Sequence, residues 1–226
     1  MEDFELVCMW IAEIVPLFAT LFSFIYGLRN FFKKGKPLFL QSITMAMGCH
    51  ALGSIYHLCQ TLTTESVIEG FTPAYLGRIG FFLFFITASY GQMDRIVDDG
   101  TPKIKPSRYI ALIAPICAGL LFLPNAFMED LPLETKISTV LVWLPAMVSV
   151  SYNLKHAIIP DCDFGFIKAI KPYSILAVCL AVAELCCLTA WDYLYSVPLV
   201  ITTIVFAVIC VTTMFVAKKG ADKWKI

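Results

Sequence analysis

The stretch LVCMWIAEIVPLFATLFSFIYGL, residues 6–28, followed at once by RNFFKKGK, residues 29–36, decides the fold. The first part is long enough to cross about 30 Å of hydrocarbon as a helix, for which roughly 20 residues are needed. It must be helical, because a lone strand in lipid would leave its amide groups unpaired. The second part gathers Arg29, Lys33, Lys34 and Lys36, a cation cluster that marks a cytoplasmic helix end. Ahead of both stand Glu2, Asp3 and Glu5 rather than a basic n-region, and no small-x-small cleavage pattern follows. The segment is therefore expected to be a retained span with an outside N-terminus, not a cleaved signal peptide.

The same pattern repeats to the end of the chain. Apolar runs fall at 6–28, 37–61, 73–93, 108–124, 136–154, 172–190 and 196–217. Of the 226 residues, 59% are hydrophobic and 15% charged. A soluble domain is about a quarter charged and no more than half apolar, and one core in water could not hold this excess. The sequence predicts an all-α, polytopic integral membrane bundle of seven helices, a single domain over residues 1–226, in the cell membrane.

Charge sets the orientation. Fifteen of the 17 basic residues fall in the first, third and fifth loops and the tail, leaving out only Arg78 and Lys136. The alternate segments carry acids: Glu65 and Glu69, then Glu129, Asp130 and Glu134, then Asp192. An odd number of spans is needed for this alternation to reach a basic tail, which puts the C-terminus in the cytoplasm. Tyr75, Trp191, Tyr193 and Tyr195 are then expected at the outer interface, where amphipathic rings settle. The longest loop, 155–171, is too short for a catalytic domain, and the stretch after Asp163 has the makings of a short interfacial helix.

An internal echo links the two ends of the chain. Spans one and five each carry a central proline (Pro16, Pro145) near a tryptophan (Trp10, Trp143). Spans two and six begin with Lys36-Pro37 and Lys171-Pro172, and spans three and seven have Pro73 and Pro198 near their outer starts. This order predicts a parallel three-plus-one-plus-three repeat with span four as linker. It resembles the layout of SWEET and PQ-loop transporters, whose Pro-Gln signature the chain lacks.

Ionisable residues inside a membrane are expensive and mark function by default. Glu13 in span one, His50 in span two, Arg78 in span three and Glu184 in span six all lie about 20 Å from the cytoplasmic boundary, at about 1.5 Å per residue. Trp143, Thr202 and Thr203 fall at a similar level, and His57 lies on the face of His50 but about 10 Å nearer the outside. A ligand-binding or proton-coupling pocket is therefore expected from Glu13, His50, Arg78, Glu184, His57 and Trp143, opening outward above Phe-, Leu- and Val-rich helix halves. The blander alternative is a structural ion pair between Glu13 and Arg78, with His50 bonded to a carbonyl. Asp94, Asp98, Asp99, Asp161 and Asp163 read as solvated loop acids or caps.

Other chemistry finds little support. His50 and His57 stand seven residues apart, not the four that suit one zinc ion on a helix, so no metal is expected. Haem lacks suitably placed histidines, and a chain resembling microbial rhodopsins would need a lysine inside the last span. No phosphate loop, G-x-S-x-G or H-E-x-x-H is present, so neither a cofactor nor a catalytic residue is assigned. The nine cysteines form no C-x-x-C pair and read as small apolar residues, with Cys8, Cys59, Cys186 and Cys187 the four near the oxidising face.

The expected partners are the lipid bilayer and a small-molecule ligand or solute, with room for a homo-oligomer or a cytoplasmic signalling partner. Nucleic acid is not expected, since topology accounts for the basic residues. Three functional classes remain in order: a transporter of a small polar or charged solute, with Arg78 holding an anionic group; a seven-helix receptor or sensor; and an intramembrane lipid-modifying enzyme.

Overall fold

A computed structural model of the protein describes residues 2–32, 37–63, 71–94, 102, 104–127, 132–159, 166–193 and 197–223. Lys33, Lys34, Lys36, Glu65, Glu69, Arg95, Asp98, Asp99, Glu129, Asp130, Asp161, Asp163 and Tyr195, and the side chains of Trp191, Asp192 and Tyr193, lie outside the description. Among the described residues the chain is all-helical. The helices are α1 (Glu2–Phe31), α2 (Leu38–Thr63), α3 (Pro73–Ala88), α4 (Lys105–Phe127), α5 (Leu133–Ile158), α6 (Phe166–Tyr193) and α7 (Val197–Lys223). Six of these, all but α4, are long and apolar enough to cross a membrane.

Cross-helix contacts give the directions. Ser23 of α1 lies 3.7 Å from Cys210 of α7, and Tyr26, one turn on, accepts from Lys218 at 3.0 Å, so the first and last helices run parallel. Ser89 bonds Asn153 at 3.0 Å and Asp94 meets His156 at 3.1 Å, so the α3 line and α5 are also parallel. α4 joins the end of one to the start of the other and must bring the chain back across. Its residues Tyr109, Ile113 and Ile116 are exposed, an apolar face suited to lipid. The parallel first and last helices fit an odd number of crossings.

Neighbour relations follow the internal echo. The helices close a ring in the order α1, α2, α3, α5, α6, α7, with α4 outside against α5. Exchanging α1 with α5, α2 with α6 and α3 with α7 leaves every contact of that ring in place. In that ring α1 to α3 and α5 to α7 are contiguous, and the two groups touch along α3 with α5 and along α7 with α1. The rings along these seams correspond as well: Tyr90 packs on Tyr152 at 5.2 Å, and Tyr26 on Phe215 at 4.7 Å.

The bundle is apolar outside, and its largely apolar core also holds buried polar and ionisable groups. Phe18 and Val208 are more than 60% exposed, while Glu13, His50, Asn153 and Glu184 are buried. Lipid gives apolar helices no reason to associate, so close packing and interhelical polar contacts hold them together. The tightest approach of one backbone to another at a described glycine is between α2 and α3, where a Cβ on Gly77 would stand 2.6 Å from the Gly53 Cα and 2.7 Å from the Cys49 carbonyl oxygen. Only glycine permits that crossing. Several buried hydroxyls bond within their own helices, as Thr20 does by donating to the Pro16 carbonyl at 2.7 Å.

Two local readings need correction. α6 begins at Phe166 and runs through Pro172, so the stretch expected as a separate interfacial helix forms the first turns of the sixth span. Asp94 is not a solvated loop acid. It ends a π-helical turn, Ser89–Asp94, that continues α3, and it pairs with both Lys155 and His156 of α5.

Candidate functional site

Glu13, His50, His57, Arg78 and Glu184 all line one small cavity of about 30 Å³. Its walls are Glu13 and Pro16 from α1, His50 to His57 from α2, Arg78 from α3, Glu184 and Cys187 from α6, and Leu199 and Thr203 from α7. These positions lie toward the start of α1, α3 and α7 and the end of α2 and α6, the end that the charge distribution assigns to the outside. A space of this size holds about one water.

The ionisable groups form two units. In the first, His57 Nδ1 lies 2.5 Å from Glu13 Oε1, and the Thr61 hydroxyl donates to the same oxygen at 3.3 Å. In the second, Arg78 Nε donates to Glu184 Oε1 at 3.0 Å, and His50 Nε2 lies 3.3 Å from Glu184 Oε2. That approach is within ion-pair range without an aligned hydrogen bond. The other His50 nitrogen lies 3.3 Å from the Ser54 hydroxyl. Each carboxylate is thereby paired, without which a charge at mid-helix costs about 2.5–3.5 kcal/mol even on insertion scales.

Arg78 does not pair with Glu13, contrary to the simplest sequence reading, because α2 stands between α1 and α3 in the ring. Arg78 reaches across to α6 instead, with its guanidinium 5.8 Å from the Tyr75 ring centre. It is therefore already committed to Glu184 and is not an open anion holder. Trp143 does not line the cavity. It is buried in the core on α5, a helix that contributes nothing to these walls. Of the two threonines at this level, Thr203 faces the cavity, while Thr202 lines an apolar groove between α6 and α7.

Below the cavity an aromatic floor closes the bundle. The His50 ring sits between Phe81 at 5.2 Å and Phe206 at 5.0 Å, and these two phenylalanines occupy matching places on α3 and α7. The interval between them in sequence is the one that separates Pro73 from Pro198. Phe39, Phe85 and Tyr173 continue the layer toward the cytoplasmic end.

Two features escaped the sequence. Thr61 follows His57 by one turn and adds a donor to Glu13, a signal available from spacing alone. The Asp94 cluster was legible only once α3 and α5 were known to be parallel neighbours. Burial disfavours the Asp94 charge, but hydrogen bonds from His156 and Lys155 outweigh it and hold the carboxyl below its usual range.

No protein family, curated protein or solved structure matches this chain. Its function rests on the geometry.

Proposed function

We propose that the protein is a proton-coupled transporter of a small polar or charged solute. The observation that carries this reading is the convergence of two histidine–glutamate pairs, Glu13 with His57 and Glu184 with His50, on one polar cavity in the outer half of the bundle. Substrate and coupling sites of repeat-built transporters lie at the interface of the repeats, where rocking of one half exposes them alternately. Histidine is the side chain whose ordinary charge change falls near neutral pH, which suits it to a proton-coupling role. The aromatic floor beneath His50 supplies the barrier that alternating access needs. At about 30 Å³ the cavity is closed to anything larger than water or a small ion, so a larger solute requires α6 or α7 to move. Pro16, on the cavity wall, lacks the amide that would hold its turn of α1, which eases bending there.

The test is reconstitution in proteoliposomes with a trapped pH dye, potassium and valinomycin clamping the voltage, and a panel of sodium, lithium, amino acids, small organic acids and amines. At least one class should move protons, and Glu184→Gln should abolish that movement. Absence of flux with every class, or full flux in Glu184→Gln, would overturn the reading. A ligand that raises thermal stability without any flux would favour a receptor instead.

A further inference from the structure

Counting charge around the cavity divides its groups unequally. Glu184 is balanced by Arg78, with Nε donating at 3.0 Å, and this unit is neutral with His50 uncharged. Arg78 across the cavity attracts Glu13, but among the described residues Glu13 makes no hydrogen bond or ion pair with a lysine or arginine. Its partners are His57 at 2.5 Å and the Thr61 hydroxyl, and its side chain is 5% exposed. Ser54, Cys187 and Thr203 complete the polar side chains that line the cavity, none of them a cation. Among the described groups the set is neutral only when one further positive charge is present, such as a proton on His57, the imidazole that meets Glu13, or an ion in the cavity. Lacking both, a buried carboxylate would stand uncompensated, which is far costlier.

We infer that Glu13 is an exchange site that holds either the His57 proton or a small monovalent cation, one excluding the other. This deepens the transport reading, on whose cavity it rests, by naming the solute as an alkali-metal-sized cation moved against a proton. The cavity has room for such an ion, and four oxygen-bearing side chains (Glu13, Ser54, Glu184 and Thr203) line it. A divalent ion is less suited: among the described residues no three acidic, histidine or cysteine side chains converge as they would around one. In the exchange a cation approaches the Glu13 carboxylate, the His57 imidazolium loses its proton to water, and total charge is unchanged.

The experiment is proton release from the purified full chain in lightly buffered detergent solution. Sodium, potassium or lithium chloride should acidify the medium by up to about one proton per chain, whereas choline chloride, too large for the cavity, should not. Glu13→Gln should release none. Where that variant fails to fold, His57→Gln keeps the carboxylate but removes the proton carrier, and should bind radioactive sodium without releasing protons. Release of equal size with choline, or none with any alkali cation, overturns the proposal. So does undiminished release from Glu13→Gln. Proton release with no flux in proteoliposomes would support the exchange site and sink transport. Flux driven by a neutral or anionic solute, with no cation-induced release, would leave transport standing and overturn the cation assignment.

Discussion

Arg78 of α3 donates to Glu184 of α6 at 3.0 Å and so ties the first half of the bundle to the second at the level of the cavity. Breaking one side of a buried pair leaves the other charge uncompensated, which costs about 3–5 kcal/mol. Arg78→Met and Glu184→Gln should each lower the midpoint of thermal unfolding in detergent micelles by several degrees. The double variant should recover most of the loss. If the two losses simply add, the residues are not energetically paired.

The α2–α3 crossing depends on the absence of a side chain. Gly77→Ala would drive a Cβ to 2.6 Å from the Gly53 Cα, backbone that has no soft side chain to yield. Overpacking of this kind costs about 1–3 kcal/mol. Gly91→Ala is the control, since its Cβ would meet only the Thr87 methyl carbon at 4.0 Å. Differential scanning fluorimetry should show a clear loss for the first and almost none for the second. Equal behaviour would mean that the close approach is not what holds these helices.

Acid should loosen the cytoplasmic end. The Asp94 carboxyl is held below its ordinary range in the fold, so it adds stability that is fully present above its unfolded value of about 4. That contribution declines as pH falls past this value and is gone once pH drops below the folded one. Wild-type protein should therefore exceed Asp94→Asn in melting temperature at pH 7, with the gap narrowing between about pH 4 and lower values. A gap that stays constant down to pH 3 would contradict the pairing with Lys155 and His156.

Orientation can be read on living cells. Cys59, near the end of α2, is exposed and should react with a membrane-impermeant maleimide added from outside. A fluorescent protein fused after Ile226 should glow, as it does only in the cytoplasm, and an alkaline phosphatase at the same place should stay silent. Labelling of Cys59 only after permeabilisation would invert the bundle.

Hydropathy and charge placed the helices and their levels with little help from packing. The apolar runs could only be helices, because lipid offers the backbone no partner. The rise of 1.5 Å per residue put Glu13, His50, Arg78 and Glu184 at one depth before any contact was known. The paired prolines suggest two halves, and the order of neighbours around the ring is compatible with them.

What the sequence by itself determined is position along the membrane normal, since length and burial in oil act on each helix separately. What only the tertiary structure decided is direction across the membrane plane. Arg78 went to Glu184 and not to Glu13, Trp143 turned into the core of α5, and Asp94 found Lys155 and His156. Those choices depend on which helices stand side by side and how closely they cross, and contacts such as Gly53 on Gly77 fix that between helices far more than within one.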